Sequence, residues 1–275
     1  AAGGRATHHR PLDTGPAAGD LGLMGIWDHF RHFVAAVAAW LTTSAHWSGA
    51  SGIPELFWRQ AELSLAVVVG AVAVGGGVGL VLGHSGRGGL VAVNAANAAR
   101  AVPSLALLTL FAIVPWISLS GGGFYAAFLA LWVLAIPPIL TNTYVGVREV
   151  DAEVRDAARA MGLTGGEILR TVELPLAAPF IMAGIRTASI EVVATSTLAA
   201  YVSYADLGTP VISGLNTNDT VEAFAGAVLV ALLAAVVALG LGAVQRLVTP
   251  EPLRVGTRPA SAMLGRLRLA GSADG

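Results

Sequence analysis

Long apolar runs alternate along this chain with polar, arginine-bearing connections, and the runs have the length of bilayer crossings. A spanning helix needs roughly 20 predominantly apolar residues. Leu63 to Gly83 supplies one uncharged run. Ala101 to Val147 is also uncharged and long enough for two, with a break predicted at Ser120-Gly121-Gly122-Gly123. Leu174 to Ala205 is mostly apolar but carries Arg186 and Glu191, so its membrane part is predicted to start near Arg186. Ala223 to Gln245 is the last run. The pattern predicts an all-α, polytopic membrane protein with about five transmembrane helices.

Composition narrows the chemistry. The chain is 55% hydrophobic and 12% charged, outside the balance of soluble domains. It has no cysteine, which excludes disulfides and thiolate metal sites. All sixteen basic residues are arginine, so there is no phosphate-binding lysine, Schiff-base lysine or lysine general base. Neither nucleotide hydrolysis nor a cofactor is expected of this chain.

Arginine placement orients the spans. Arg148, Arg155, Arg159, Arg170 and Arg186 lie between the third and fourth runs, Arg87 and Arg100 between the first and second, and Arg246, Arg254, Arg258, Arg266 and Arg268 after the fifth. The connection from Asp206 to Glu222 has acids and no arginine. The positive-inside rule places the arginine-bearing connections and the C-terminus in the cytoplasm, and five crossings then place the N-terminus outside.

Four parts follow: residues 1–25 as a disordered tail with a processed or trimmed start, 26–58 as an amphipathic helix and linker, 59–248 as the membrane domain with its polar loop at 148–178, and 249–275 as a cytoplasmic tail. Trp27, Phe30, Phe33, Val34 and Val37 recur at helical spacing, which suits a helix lying in the interface. A sixth crossing there would have to accommodate Asp28, His29, Arg31 and His32. Arg5, Arg10, Arg31 and Arg59 sit uneasily in an external segment. Gly70, Gly75, Gly76, Gly77, Gly79 and Gly83 in the first run permit close helix approach. Pro103 is expected to open the second span, Pro115 and the pair Pro137-Pro138 to kink or break their helices.

The polar loop has order of its own. Val150 to Met161 is a good helix sequence with four alanines, stopped by Gly162. Thr164 and Glu167 have capping-box spacing and open a second short helix. Pro175 is expected to keep that helix from continuing into the fourth span. Ala157 and Ala158 are small enough for a partner surface to approach closely. Long ordered loops are usually functional, and docking of a soluble partner competes with simple connection.

The segment from Asp156 to Pro175 resembles the EAA loop of binding-protein-dependent ABC-importer permeases. The match runs through Asp156, Ala157, Ala158, Gly162, Val172, Leu174 and Pro175, with Ile168 on the same segment and Asp156 standing where the family has glutamate. That replacement keeps the charge and shortens the reach by one methylene. Asn94 to Leu110 and Leu207 to Leu215 resemble segments of osmoprotectant permeases, for glycine betaine, carnitine, choline or proline betaine. The resemblance covers about residues 57–247. It implies a MetI-like type I importer permease fold in the bacterial cytoplasmic membrane. It also implies a transport subunit rather than an enzyme, two permease subunits (identical or paralogous), two ATPase subunits and an external substrate-binding protein.

Candidates for the translocation pathway are Glu191, Thr195, Thr197 and Tyr201, with Ser196 and Tyr204 beside them in an unusually polar fourth span. The serine and threonine hydroxyls can instead bond helix backbone. Glu191 can be a cation site or face the cytoplasmic mouth. His29 and His32 lack a third ligand, so no metal is expected. Other readings of the whole chain are a permease for methionine or another amino acid, a solitary ion-coupled secondary transporter, for which inverted repeats are wanting, and a membrane anchor for a soluble complex.

Overall fold

The computed structural model describes residues 20–118 and 123–248, all helix and connection without a strand among them. The tails at 1–19 and 249–275, and most of the break at 120–123, lie outside the described residues.

Helix α1 spans Asp20–Thr42, so its first six residues fall inside the predicted tail. Among the described residues it does not qualify as a crossing by length and composition. It packs along the last helix, with Phe33 edge-on to Phe224 at 5.2 Å between ring centroids.

The helix of the first crossing is longer than the apolar run that predicted it. Helix α2 (Ile53–Ala71), a π-helical turn (Val72–Gly76) and α3 (Gly77–Ser85) form one stretch of 33 residues, which takes in the end of the supposed linker. The glycines serve as expected: a Cβ on Gly79 would lie 2.8 Å from Thr143 Cβ, and one on Gly83 would lie 2.7 Å from Val147 Cβ. Absent side chains let two backbones close on one another, which is how helices associate where no hydrophobic effect drives them together.

The second crossing differs from the prediction. It starts at α4 (Gly89–Ala99) rather than Ala101, then turns by 80° into α5 (Ser104–Ala112), followed by the short α6 (Pro115–Ser118). α4 follows the loop-side end of α3, whereas α5 packs against the far end of the fourth crossing, so the pair traverses as one broken span. Pro103 forces the preceding residue out of helical geometry and caps α5 instead of opening the whole span. Arg100, assigned above to a cytoplasmic connection, therefore sits at a bend inside the crossing.

Helix α7 (Phe124–Arg148) continues through Pro137 and Pro138, so the pair does not break it. Both prolines are buried, and Gly184 of the fourth crossing packs against the Pro138 carbonyl. Tight packing holds the helix where lipid offers broken backbone no alternative partner.

After α7 come α8 (Ala152–Ala160) and α9 (Gly165–Ile168). α9 does not stop before Pro175. A π-helical turn, Leu169–Glu173, carries it into α10 (Leu174–Ser196) and a 3-10 turn (Thr197–Val202), giving one helix of 38 residues. Pro175 therefore lies inside a continuous helix, directly after the π turn, and does not end it as expected. The helix that holds the fourth crossing thus begins at Gly165, well before Arg186. α11 (Gly208–Thr217) and α12 (Thr220–Val248) complete the chain.

The main core joins α2, α5, α7 and α10 through Leu63, Val67, Leu108, Leu131, Ile139 and Val192, all at most 1% exposed. A second cluster at the far end adds Ile53, Leu56, Leu207 and Val230.

Candidate functional site: the two-helix loop and its anchor

Two stiff pieces and one hinge make up the loop. Asp151 caps α8, its side chain accepting from the Glu153 amide at 2.9 Å. At the other end Gly162 takes a φ of +87°, its amide donates to the Arg159 carbonyl at 2.9 Å, and Leu163 N–H donates to the Ala158 carbonyl at 3.2 Å. That pair of bonds is a Schellman motif, which satisfies carbonyls a helix end leaves open. The predicted capping box is present: Glu167 accepts from both the amide and the hydroxyl of Thr164, each at 2.7 Å. A short polar sequence holds its shape because both ends of its hinge are hydrogen-bonded.

The loop residues predicted for docking divide into two faces. Ala158 and Ile168 are 2% exposed and face the protein's own interior, so of the two alanines only Ala157 is open to a partner. Asp156 is exposed and pairs with Arg159 one turn on at 2.9 Å. Val172 is half-buried; Leu174 and Pro175 are exposed. Val154, Ala157 and Met161 are all exposed, Met161 at 74%, and their spacing puts them on one face of α8.

The anchor was not foreseen. Glu173, in the π turn, is 1% exposed. Its Oε2 lies 2.7 Å from Nδ1 of His84 at the end of α3, and its Oε1 lies 3.4 Å from Nε of Arg155 on α8. The other end of Arg155 donates from Nη2 to the carbonyls of Val147, Arg148 and Val150, at 2.9, 3.1 and 2.8 Å. A cation there also complements the C-terminal end of the α7 dipole. One buried carboxylate therefore ties the loop to the first and fourth crossings, and its arginine partner ties it to the third. The sequence signal was an acid and a histidine at the edges of apolar runs, where they read as flanking polarity.

The pathway candidates are distributed along α10. Glu191 receives Arg100 Nη2 at 3.3 and 3.2 Å, a partner the sequence did not supply. Thr197 donates to the Ala194 carbonyl and Ser196 to the Val193 carbonyl, each at 2.9 Å, the backbone role that competed with a cavity role. Thr195 is half-buried, and Tyr201 is 52% exposed. At the far end, fully buried Gln60 donates to the Val193 carbonyl at 3.0 Å and accepts from Leu207 N–H at 3.1 Å. Tyr204 donates to the Arg59 carbonyl at 2.9 Å. Asp206, also fully buried, accepts from Gly208 N–H at 2.8 Å with Oδ1, while its Oδ2 has no hydrogen-bond partner. Burial pushes its carboxyl up to about 7.

Among the described residues, four long apolar helices and one bent pair can cross a membrane, and the rigid loop tied to three of these elements projects from one side, the architecture of a multi-pass membrane protein. The chain belongs to the family of binding-protein-dependent transport system inner membrane components, whose profile matches residues 72–253. It is 35% identical over 197 residues to the carnitine transport permease protein OpuCB of Listeria monocytogenes, covering 72% of this chain and 88% of that one. It is 36% identical over 203 residues to the glycine betaine/carnitine/choline transport system permease protein OpuCB of Bacillus subtilis (strain 168), covering 73% and 91%. A chain of the methionine ABC transporter MetNI, solved in inward-facing conformations, superposes with a TM-score of 0.61 at 25% identity, covering 70% of this chain and 94% of that chain. The fold is the MetI-like type I importer permease fold, with the two-helix loop on the cytoplasmic side.

Proposed function

We propose that this chain is the permease subunit of an ATP-driven importer of osmoprotectants, of the glycine betaine, carnitine, choline or proline betaine type. ATP is hydrolysed in a separate ATPase subunit, cargo arrives on an extracytoplasmic binding protein, and a second permease copy or paralogue completes the passage. The loop carries this reading. Val154, Ala157 and Met161 offer an apolar stripe on a helix outside the membrane, with Asp156 and Arg159 beside it. A groove in the ATPase closes on that stripe, and the push reaches the crossings through Arg155 and Glu173 because the loop cannot bend at Gly162 without breaking its capping bonds. The cargo class is that of the curated relatives, which are closer in sequence than the methionine transporter. Within the passage, Glu191, Thr195, Thr197 and Tyr201 line the route.

The test is uptake of labelled glycine betaine by the chain co-expressed with its ATPase and binding protein in a host without betaine importers. Met161→Glu places a charge on a side chain that is 74% exposed, so the fold is spared while docking is not. Uptake and ATPase co-purification are both expected to fall. Undiminished uptake in that variant refutes the docking face; no betaine uptake by the intact assembly refutes the cargo.

A further inference from the structure

Arg100 and Glu191 pair at a depth where charges are rare. Gly184 of α10 packs against Pro138 and Ile139 of α7, so Glu191, about two turns further on, lies level with the middle of α7 (Phe124–Arg148) rather than at the cytoplasmic mouth. Arg100 reaches it from the bend between α4 and α5. The chain does not bury the pair: the side chains are 42% and 33% exposed. Ionised groups at such depth face a bundle interior or a water-filled cavity, not lipid. The open side of the pair thus marks the wall of an aqueous passage.

The geometry is that of a pair able to come apart. At 3.2 and 3.3 Å, both contacts exceed the usual ~2.7–2.9 Å of charge-assisted bonds, and both come from one nitrogen of Arg100, so the guanidinium fork is not fully engaged. We propose that Arg100 and Glu191 form a station for small zwitterions, resting on the importer reading above. The solute's carboxylate takes the arginine fork, and its quaternary ammonium, which has no N–H to donate, is held by Glu191 through charge alone. Each protein charge exchanges its partner for another of the same sign, so neither is stranded as the solute enters. A simple quaternary cation without a carboxylate satisfies Glu191 and leaves Arg100 unpaired. The station therefore favours betaines and carnitine over choline.

The absence of cysteine from the chain makes the passage wall accessible to a direct test. Ala194 is exposed and almost one turn from Glu191. In the purified permease–ATPase complex without binding protein, Ala194→Cys is treated with a membrane-impermeant sulfonate thiol reagent. The thiol is expected to label, and excess glycine betaine to slow labelling several-fold, with choline chloride at equal concentration slowing it much less. Adding Arg100→Gln or Glu191→Gln should abolish the protection by glycine betaine. A thiol that does not label, labelling that betaine leaves unchanged, or protection that survives both substitutions overturns the station. These outcomes are read without transport, so they stand apart from the uptake assay on which the importer reading depends.

Discussion

Replacing Glu173 by glutamine should loosen the loop without unfolding the spans. The substitution keeps size and polarity but removes the charge between Arg155 and His84. Breaking a buried ion pair by removing one partner costs about 3–5 kcal/mol when the other charge is left uncompensated. Arg155 is only partly stranded, because its three backbone carbonyl bonds remain. The side chain is also 12% exposed, so water can reach it. We therefore expect a cost near 2–3 kcal/mol. Since about 1.4 kcal/mol is tenfold in an equilibrium constant, that corresponds to roughly 30- to 150-fold more frequent opening of the loop.

Hydrogen exchange reads this directly, because amides in a locally opening unit exchange in proportion to its opening equilibrium. Peptides covering 152–168 should exchange faster by that factor, whereas the α7 core around Leu131 and Ile139 should not change. In proteoliposomes the same variant should hydrolyse more ATP per solute moved. If the loop amides exchange within about threefold of the unsubstituted protein, the buried carboxylate is not what holds the loop, and the route of force through Glu173 is wrong.

Three further outcomes are expected. Gly79→Val puts a Cβ 2.8 Å from Thr143 Cβ and 2.9 Å from the Leu140 carbonyl; backbone cannot yield as a side chain can, so detergent stability should fall by about 1–3 kcal/mol, whereas Gly77→Ala, which meets nothing within 4 Å, should be nearly neutral. Gln60→Leu leaves the buried Leu207 N–H without its acceptor and should cost about 1–3 kcal/mol in thermal unfolding of the detergent-solubilised protein. The Asp206 carboxyl, raised by burial from 3.8 to about 7, binds a proton more tightly folded than unfolded. Its stabilising contribution is full below its unfolded value and is lost as pH rises through about 7, a change of at most about 4 kcal/mol. Thermal scans should show stability falling across that window, and Asp206→Asn should flatten the slope.

The apolar runs disclosed the crossings because periodicity and length are one-dimensional properties. Their boundaries were less legible. The helices of the first and fourth crossings extend well beyond the apolar runs that announced them, since Ile53–Glu62 and Gly165–Glu173 are polar enough to read as connections while remaining helical through contacts made in three dimensions. Pro137 and Pro138 pointed to a kink or a break, and tertiary packing carries the helix through them without a break. Gly162 and the Thr164–Glu167 spacing were readable because hinge and capping chemistry are local. Glu173 with His84, Arg100 with Glu191, and Gln60 with Leu207 were not, because each joins residues far apart in sequence. Ala158 was assigned to the wrong face for the same reason: spacing fixes which residues share a side, not which side is covered.

The three cross-links differ in a way that suits transmission. Near the loop, a carboxylate that is 1% exposed engages an imidazole and a guanidinium, the guanidinium also holding three carbonyls; little can move there except as a body. Midway, Arg100 and Glu191 meet at longer range and in the open, so their bond can be exchanged at small cost. At the far end Gln60 joins α2 to the end of α10 with neutral hydrogen bonds in a dry core, a link that is geometrically strict but carries no charge to trap a passing ion. On the proposed docking role, a push on α8 would be delivered to α3, α7 and α10 together, and these would pivot against a far end held in register. The contact between them most able to yield is the one beside the passage. The proposed mechanism would then concentrate stiffness where force enters, and place exchangeable charge where a zwitterionic solute could take the place of the protein's own pair.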